Sequence, residues 1–302
     1  MKRVFAISDS IATPLGLSTA ETFTSILEGR VGLKQTSHDY LPTQTYTSTF
    51  SAAQWQSIAE TAKAYDIECR FEQLLLKPIV DVISQSGINP ADAGVVLVVA
   101  TTKGSIDQLG KVPTSQLLLH NSASNVAKAI GCTNPPVVIS NACISGLSAI
   151  IAAKRLLQSG FYHTAIVAGA DMLSQFIISG FDSLKAMSPE VCRPFDKDRQ
   201  GINLGEGSAA IVLQTEEKAT SSDIELLGGS VTNDANHVSA PSRTGQELAL
   251  AIRQAMEESG IAASDINFVS AHGTATIYND EMESKALNLA GVADRPTHSP
   301  AP

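Results

Sequence analysis

The sequence predicts an α/β protein in which strands and helices form alternating layers. Short β-branched runs recur along it: VFAI at 4–7, VVLVVA at 95–100, PVVIS at 136–140, AIVAGA at 165–170, AAIVLQ at 209–214 and INFVSA at 266–271. Several of these are continuously apolar, which suits strands covered on both faces by helices. Helical stretches lie between some of them, and that alternation argues for layered α/β architecture. The 302 residues are 43% hydrophobic and 17% charged. That is enough to enclose a large core, as one large domain or two ordinary ones.

Taken in order, VFAI opens the chain as a strand and VVLVVA reads as a buried one. PVVIS reads as another buried strand, followed by the tight turn NAC. The helix ISGLSAIIAAKRLLQSG then follows. Its first turns are apolar on nearly every side, so it is expected to run through the core. Lys154 and Arg155 come near its end, where cations suit the helix dipole. The polar stretch TEEKATSS, 215–222, reads as a hinge that divides a half at 1–217 from a half at 218–302. In GQELALAIRQAMEESG, Leu248, Ile252, Ala255 and Met256 share one helical face and Gly260 supplies a stop. INFVSA reads as a strand ending at His272, and the tail GVADRPTHSPAP shows no strand pattern.

Composition narrows the function. Thirty acidic against 21 basic residues leave a net charge of -9, which disfavours nonspecific binding to nucleic acid or an anionic membrane. An acidic partner needs a local cluster of basic residues. Four cysteines, Cys69, Cys132, Cys143 and Cys192, lie far apart without CxxC spacing, so no zinc site or disulfide framework is expected. A reducing cytoplasm is the expected location. The opening apolar run stops at Ser8 and Asp9, too short for a signal peptide. No stretch approaches the length needed to span a bilayer.

Three constellations carry possible chemistry. By residue type alone, Cys143 is a small buried hydrophobe. Its context points elsewhere: a strand, a sharp turn and a helix N-terminus favour a thiolate nucleophile and share the logic of the hydrolase elbow. The second is FVSAHGTATIYNDEMESKAL, 268–287, where His272 ends a strand before Gly273. Asp280 and Glu283 have the spacing of a capping box, with Asp280 at the cap, and a functional role for the pair stays open beside it. The third is CRPFDKDRQGINLGEGSAAIVLQ, in which Asp196, Asp198 and Gly201 mimic a calcium loop until Gly207 stands where a bidentate glutamate is needed. Metal and nucleotide sites are both disfavoured. Cys143 and His272 alone would also suit a cysteine hydrolase, but no orienting Asp or Asn motif accompanies them.

Taken together and in order, NACISG, RPFDKDRQGINLGEGSAAIVL and SAHGTATIYNDEMESKAL resemble the β-ketoacyl-acyl carrier protein synthases of the thiolase-like superfamily. The opening VFAISDSIATPLG and the loop NDANHVSAPSRTG are similar as well, and the resemblance runs from Met1 to about Leu289. HGTAT points to elongating synthases and polyketide ketosynthases.

The resemblance implies a thiolase-like layered α/β/α/β/α fold with an incomplete second half. It implies decarboxylative condensation in fatty acid or polyketide synthesis. Cys143 would attack an acyl thioester and hold the chain, with its backbone N–H in an oxyanion hole. His272 would hydrogen-bond the malonyl thioester oxygen as it becomes an enolate. Thr274 and Thr276 would line the pantetheine end of the site. Glu283 matches an acid that pairs with a lysine beyond the end of this chain, and Asp280 a structural acid beside it.

No cofactor is implied, since substrates ride on the phosphopantetheine of an acyl carrier protein. The implied partners are that carrier and a second ketosynthase chain, in a homodimer or heterodimer. Past Glu283 the family's lysine, second catalytic histidine and glycine-rich loop are missing, and GVADRPTHSPAP stands there instead. An active or impaired synthase is therefore expected, with a noncatalytic partner subunit resembling a chain-length factor, or a shortened product, as alternatives. Retention of Cys143 favours descent from a catalytic line.

Overall fold

The computed structural model describes residues 2–41, 44–216, 220, 223–234 and 241–299. The expected boundary at 217/218, most of the hinge 215–222 and the middle of the loop 233–245 lie outside them. Along the chain run β1 (Val4–Ala12), α1 (Thr19–Leu27), β2 (Lys34–Thr36), β3 (Thr45–Ser48), α2 (Ala52–Lys63), α3 (Arg70–Ser86) and β4 (Val95–Ala100). These are followed by α4 (Leu119–Ala129), β5 (Val137–Ile139), α5 (Ser145–Gln158), β6 (Thr164–Asp171), α6 (Gln175–Ser183), β7 (Leu204–Gly205) and β8 (Gly207–Thr215). The remainder comprises β9 (Ile224–Glu225), α7 (Gln246–Ser259), β10 (Val269–Ser270), α8 (Ile277–Ala290) and β11 (Thr297–His298). The chain forms two compact units, one of Met1–Val31, Thr49–Phe176 and Gly205–Leu226, the other of Gly32–Ser48, Ile177–Leu204 and Leu227–Pro302.

The first unit is a three-layer sandwich. Its six-stranded sheet has the order β5-β4-β6-β8-β1-β9. The strands β5, β4 and β6 are parallel, while β8 runs antiparallel to both β6 and β1. The continuous apolar run of β4 has a direct cause: Val95, Leu97 and Val99 pack on one face with α2, α3 and α4, while Val96, Val98 and Ala100 pack on the other with α5. Ile166 and Ala168 of β6 divide from Ala165 and Val167 in the same way. Period-two side chains on a sheet buried on both sides must all be apolar.

Three expectations change here. PVVIS is not a buried strand. It supplies β5, whose residues are half-buried because it lies at the sheet edge with β4 as its neighbour. The helix after Cys143 does not run through the core along its length. Ala149, Ala153 and Leu157 of α5 are buried against the sheet, whereas Ile144 before it and Leu147 in its first turn are exposed. Apolar residues all round a helix are buried only where a second layer covers the outer face. Lys154 is 2% exposed on the inner side of α5, so only Arg155 occupies the solvated last turn.

In the second unit, α7 spans the expected residues between Gly245 and Gly260, both in the left-handed region. Ile252 and Met256 pack against the cluster of Leu287, Ala290 and Val292 contributed by α8 and its end. INFVSA, expected to be a strand through 266–271, pairs only over β10, and Phe268 before it is 66% exposed. Its partner is a finding in the tail, where no strand was expected. Thr297 and His298 form β11, parallel to β10, with Val269 N donating to Pro296 O at 2.9 Å and Ala271 N to His298 O at 2.7 Å. Val269 packs against the Leu287 cluster on one face, and the alternation along the strand turns Phe268 to the other, exposed face. Among the described residues, no helix is long and apolar enough to cross a membrane.

Candidate active site

Cys143 sits where the open-sheet geometry favours a ligand. The chain leaves β4 through α4 to reach the edge strand β5 on one side. It then crosses through α5 to β6 on the other side of β4. The strand order reverses there, and the crevice beyond the carboxyl ends of such strands is the usual binding position. Past β5 the backbone turns sharply. Ala142 adopts φ +46°, rare for a residue with a side chain. Ser145 Oγ pins the turn by accepting from Asn141 N at 2.8 Å and donating to Ala142 O at 2.7 Å. Ile144 N and Ser145 N add bonds to Asn141 O and Ala142 O, each at 3.2 Å.

Cys143 itself is exposed and stands one residue before Ile144, the N-cap of α5. It therefore stands at the N-terminal, positive end of the dipole of a 14-residue helix. A residue that sequence reasoning passed over shares this edge. Asp171, the last residue of β6, accepts at Oδ1 from Thr101 Oγ1 at 3.2 Å, Thr102 Oγ1 at 3.1 Å and Thr102 N at 3.3 Å. Gly104 N in turn donates to Thr101 Oγ1 at 3.1 Å. The only signal for Asp171 in the sequence is an acid ending an apolar run.

His272, Thr274, Thr276, Asp280 and Glu283 belong to the second unit and form one network. The strand end is not buried as expected: His272 is exposed, and among the described residues β10 pairs with β11 alone. Gly273 at φ +53° and Ala275 at φ +58° make the turn. A Cβ on Gly273 would approach Ser299 Oγ to 2.2 Å, so the position also demands the absence of a side chain. The capping-box reading of the two acids is overturned. The helix α8 starts at Ile277 with Thr276 as its N-cap, which places Asp280 and Glu283 inside it.

Both acids instead hold the turn. Glu283, 8% exposed, accepts at Oε1 from His272 N at 2.7 Å and at Oε2 from Gly273 N at 2.9 Å. Asp280, 1% exposed, accepts at Oδ2 from Phe195 N at 2.7 Å and at Oδ1 from Thr274 Oγ1 at 3.4 Å. The hydroxyls of Thr274 and Thr276 lie 2.9 Å apart. Arg199, also missed from sequence, approaches Asp280 Oδ2 with Nε at 3.5 Å. The residues that mimic a calcium loop form a local turn in which Asp198 N donates to Asp196 Oδ1 at 2.8 Å. Among the described residues, no cluster of His, Cys, Asp or Glu is arranged to hold a metal.

Residues 1–219 match the N-terminal domain of beta-ketoacyl synthase and residues 224–300 match its C-terminal domain. The chain belongs to the beta-ketoacyl synthase family. Among relatives of this family member, the 3-oxoacyl-[acyl-carrier-protein] synthase 2 of Synechocystis is 29% identical over 324 residues, covering 96% of this chain and 77% of the relative. The Nodulation protein E of Rhizobium meliloti is 32% identical over 171 residues, 55% of this chain and 42% of the relative.

A ketosynthase in complex with its chain length factor, from Xenorhabdus doucetiae, superimposes with a TM-score of 0.86 at 27% identity, over 99% of this chain and 78% of that one. A beta-ketoacyl synthase from Burkholderia phymatum gives 0.85 at 25% identity, over 99% and 81%. The thiolase-like fold expected of this beta-ketoacyl synthase is thereby borne out.

The glycine-rich GEGS stretch of the synthase motif also acquires a role. Glu206 accepts from Phe50 N at 3.2 Å, from the backbone of Leu173 and from the Trp55 side chain. Burial pushes its carboxyl up, and these donors together with the Arg70 guanidinium partly offset that. It ties the β7–β8 turn to the start of α2 and the end of β6.

Proposed function

We propose that this chain carries out decarboxylative Claisen condensation on acyl carrier protein thioesters, in fatty acid or polyketide assembly. The Cys143 sulfur attacks the acyl carbonyl, an S–C bond forms, and the carrier thiol leaves with its proton. A malonyl thioester then loses carbon dioxide to give an enolate. Its carbon attacks the acyl-Cys143 carbonyl and expels the thiolate. His272 donates to the enolate oxygen, and fixed donors aimed at developing charge are the strongest means of lowering such a barrier. Thr274 and Thr276 line the path of the pantetheine arm, while Asp280 and Glu283 hold the turn that carries them. The supporting observation is Cys143 on the strained Ala142 elbow at the carboxyl edge of the parallel strands, in a chain of this family.

Intact-protein mass spectrometry after incubation with an acyl carrier protein thioester tests the reading. A mass gain in the wild type that is absent in Cys143→Ala is the expected result. Folded wild-type protein that gains no mass removes it.

A second reading, a partner subunit that shapes the acyl cavity of another ketosynthase, draws on similarity to two structures that each contain a ketosynthase and a chain length factor. It is favoured if acylation fails but co-expression with a full-length ketosynthase yields a stable heterodimer. On either reading the chain associates with a second ketosynthase subunit, and the half-buried edge strand β5 with the exposed Ile144 and Leu147 supports that. A monodisperse monomer in light scattering at micromolar concentration would count against it.

A further inference from the structure

Besides Lys185, two turns of the second unit contain residues with side chains in the left-handed region: Phe195 at φ +63° and Ala275 at φ +58°. Such conformations persist only where surrounding contacts over-determine them, and they cluster at functional sites. The contacts that hold both turns converge on one pair. Asp280 receives Phe195 N from the first turn and Thr274 Oγ1 from the second. Arg199 spreads its guanidinium across the same junction. Its Nη1 donates to Asp196 O at 2.8 Å in the first turn, its Nε to Thr276 O at 3.2 Å and its Nη2 to Ile277 O at 2.5 Å beside the second. Gly201 N, two residues on, donates to Ala275 O at 2.9 Å.

We propose that Arg199 is a positioning residue for His272: with Asp280 it locks the 193–199 turn to the 272–276 turn, so that the two turns open and close as one. Each donor of the planar guanidinium has a fixed direction, and three carbonyls from two segments meet that fork. A lysine offers charge without the fork. The Asp280 carboxylate is nearly inaccessible, so Arg199 also supplies the cation that keeps it from being a lone buried charge. The consequence for catalysis rests on the role of His272 proposed above, whereas the coupling of the turns does not.

Backbone amide exchange decides the matter, followed by mass spectrometry on peptides covering 193–203 and 271–278 of the full chain. Arg199→Ala is expected to raise exchange in both stretches together by about tenfold, the equivalent of about 1.4 kcal/mol, with α7 unchanged. Arg199→Lys gives a smaller rise in both, and carries the test should the alanine variant not fold. Arg253→Ala removes a guanidinium bond to Leu289 O at the other end of α8 and leaves 271–278 as in the wild type. A rise confined to 193–203, a uniform rise across the second unit, or the same rise in Arg253→Ala overturns the proposal.

Malonyl thioester decarboxylation, measured beside acylation of Cys143, separates this from the reaction itself. Slower decarboxylation with unchanged loading in Arg199→Lys is expected. A wild type that does neither reaction defeats the proposed function, while the exchange data still decide whether Arg199 couples the turns.

Discussion

Glu283 holds His272 through the backbone: one carboxylate takes two consecutive amides, His272 N at 2.7 Å and Gly273 N at 2.9 Å. A helix thereby grips, through the backbone, the turn that presents the exposed His272. Charged acceptors form the stronger class of hydrogen bond. Replacing Glu283 by Ala strands two amides, Gly273 N in a buried bond, and is expected to destabilise by about 2–6 kcal/mol, at about 1–3 for each unsatisfied group. Glu283→Gln keeps one acceptor and is expected to fall between. Denaturant midpoints at constant m-value check the order, and equal stability of all three proteins would contradict it.

The elbow before Cys143 makes a second prediction. Ala142 pays for its positive φ, and glycine would not. Ala142→Gly is expected to change stability by less than about 1 kcal/mol, because relief of strain and the added freedom of the unfolded chain oppose one another. Ala142→Val places a β-branched side chain in the same region and is expected to unfold at lower temperature. Thermal melts of the pair against wild type read this out. A valine variant as stable as wild type would show that the turn relaxes.

Stability should depend on pH through Glu72. It is buried in α3 at 7% exposure, and burial pushes its carboxyl above the ordinary value of 4.5, partly offset by bonds from Asn125 and Ser122. A carboxyl raised in the folded state binds its proton more tightly there than in the unfolded chain. Its stabilising contribution is therefore full below the unfolded value and is lost as pH rises from 4.5 through the folded one. Glu72→Gln should gain on the wild type as pH climbs through that window and hold a constant difference above it. Melting temperatures collected from acid to neutral pH test this, and a pH-independent difference would refute it.

Thiol labelling should rank the cysteines by access. Cys143 is exposed, Cys69 and Cys132 are half-buried and Cys192 is buried. Burial also pushes the Cys192 thiol up, which further slows it. Limited iodoacetamide should modify Cys143 first and Cys192 last, as read by peptide mapping. Labelling of Cys192 ahead of Cys143 would contradict the described geometry.

Local pattern in the sequence was enough for the elements whose surroundings follow from their own residues. The runs at 95–100 and 165–170 are apolar throughout because both faces of β4 and β6 are covered, and the face of α7 follows from its period. Three ordered motifs named the candidate residues. What depends on a distant partner was decided only by tertiary structure. Asp280 and Glu283 have the spacing of a cap, yet their partners are Phe195, 85 residues away, and His272 across a turn. Arg199 bonds to Ile277, 78 residues on, and nothing near it in the chain announces that. β5 became an edge, Phe268 became exposed and Lys154 became buried for one physical reason. Periodicity tells which face of an element is apolar, while the layer that arrives or fails to arrive on that face is chosen by the topology of the whole chain.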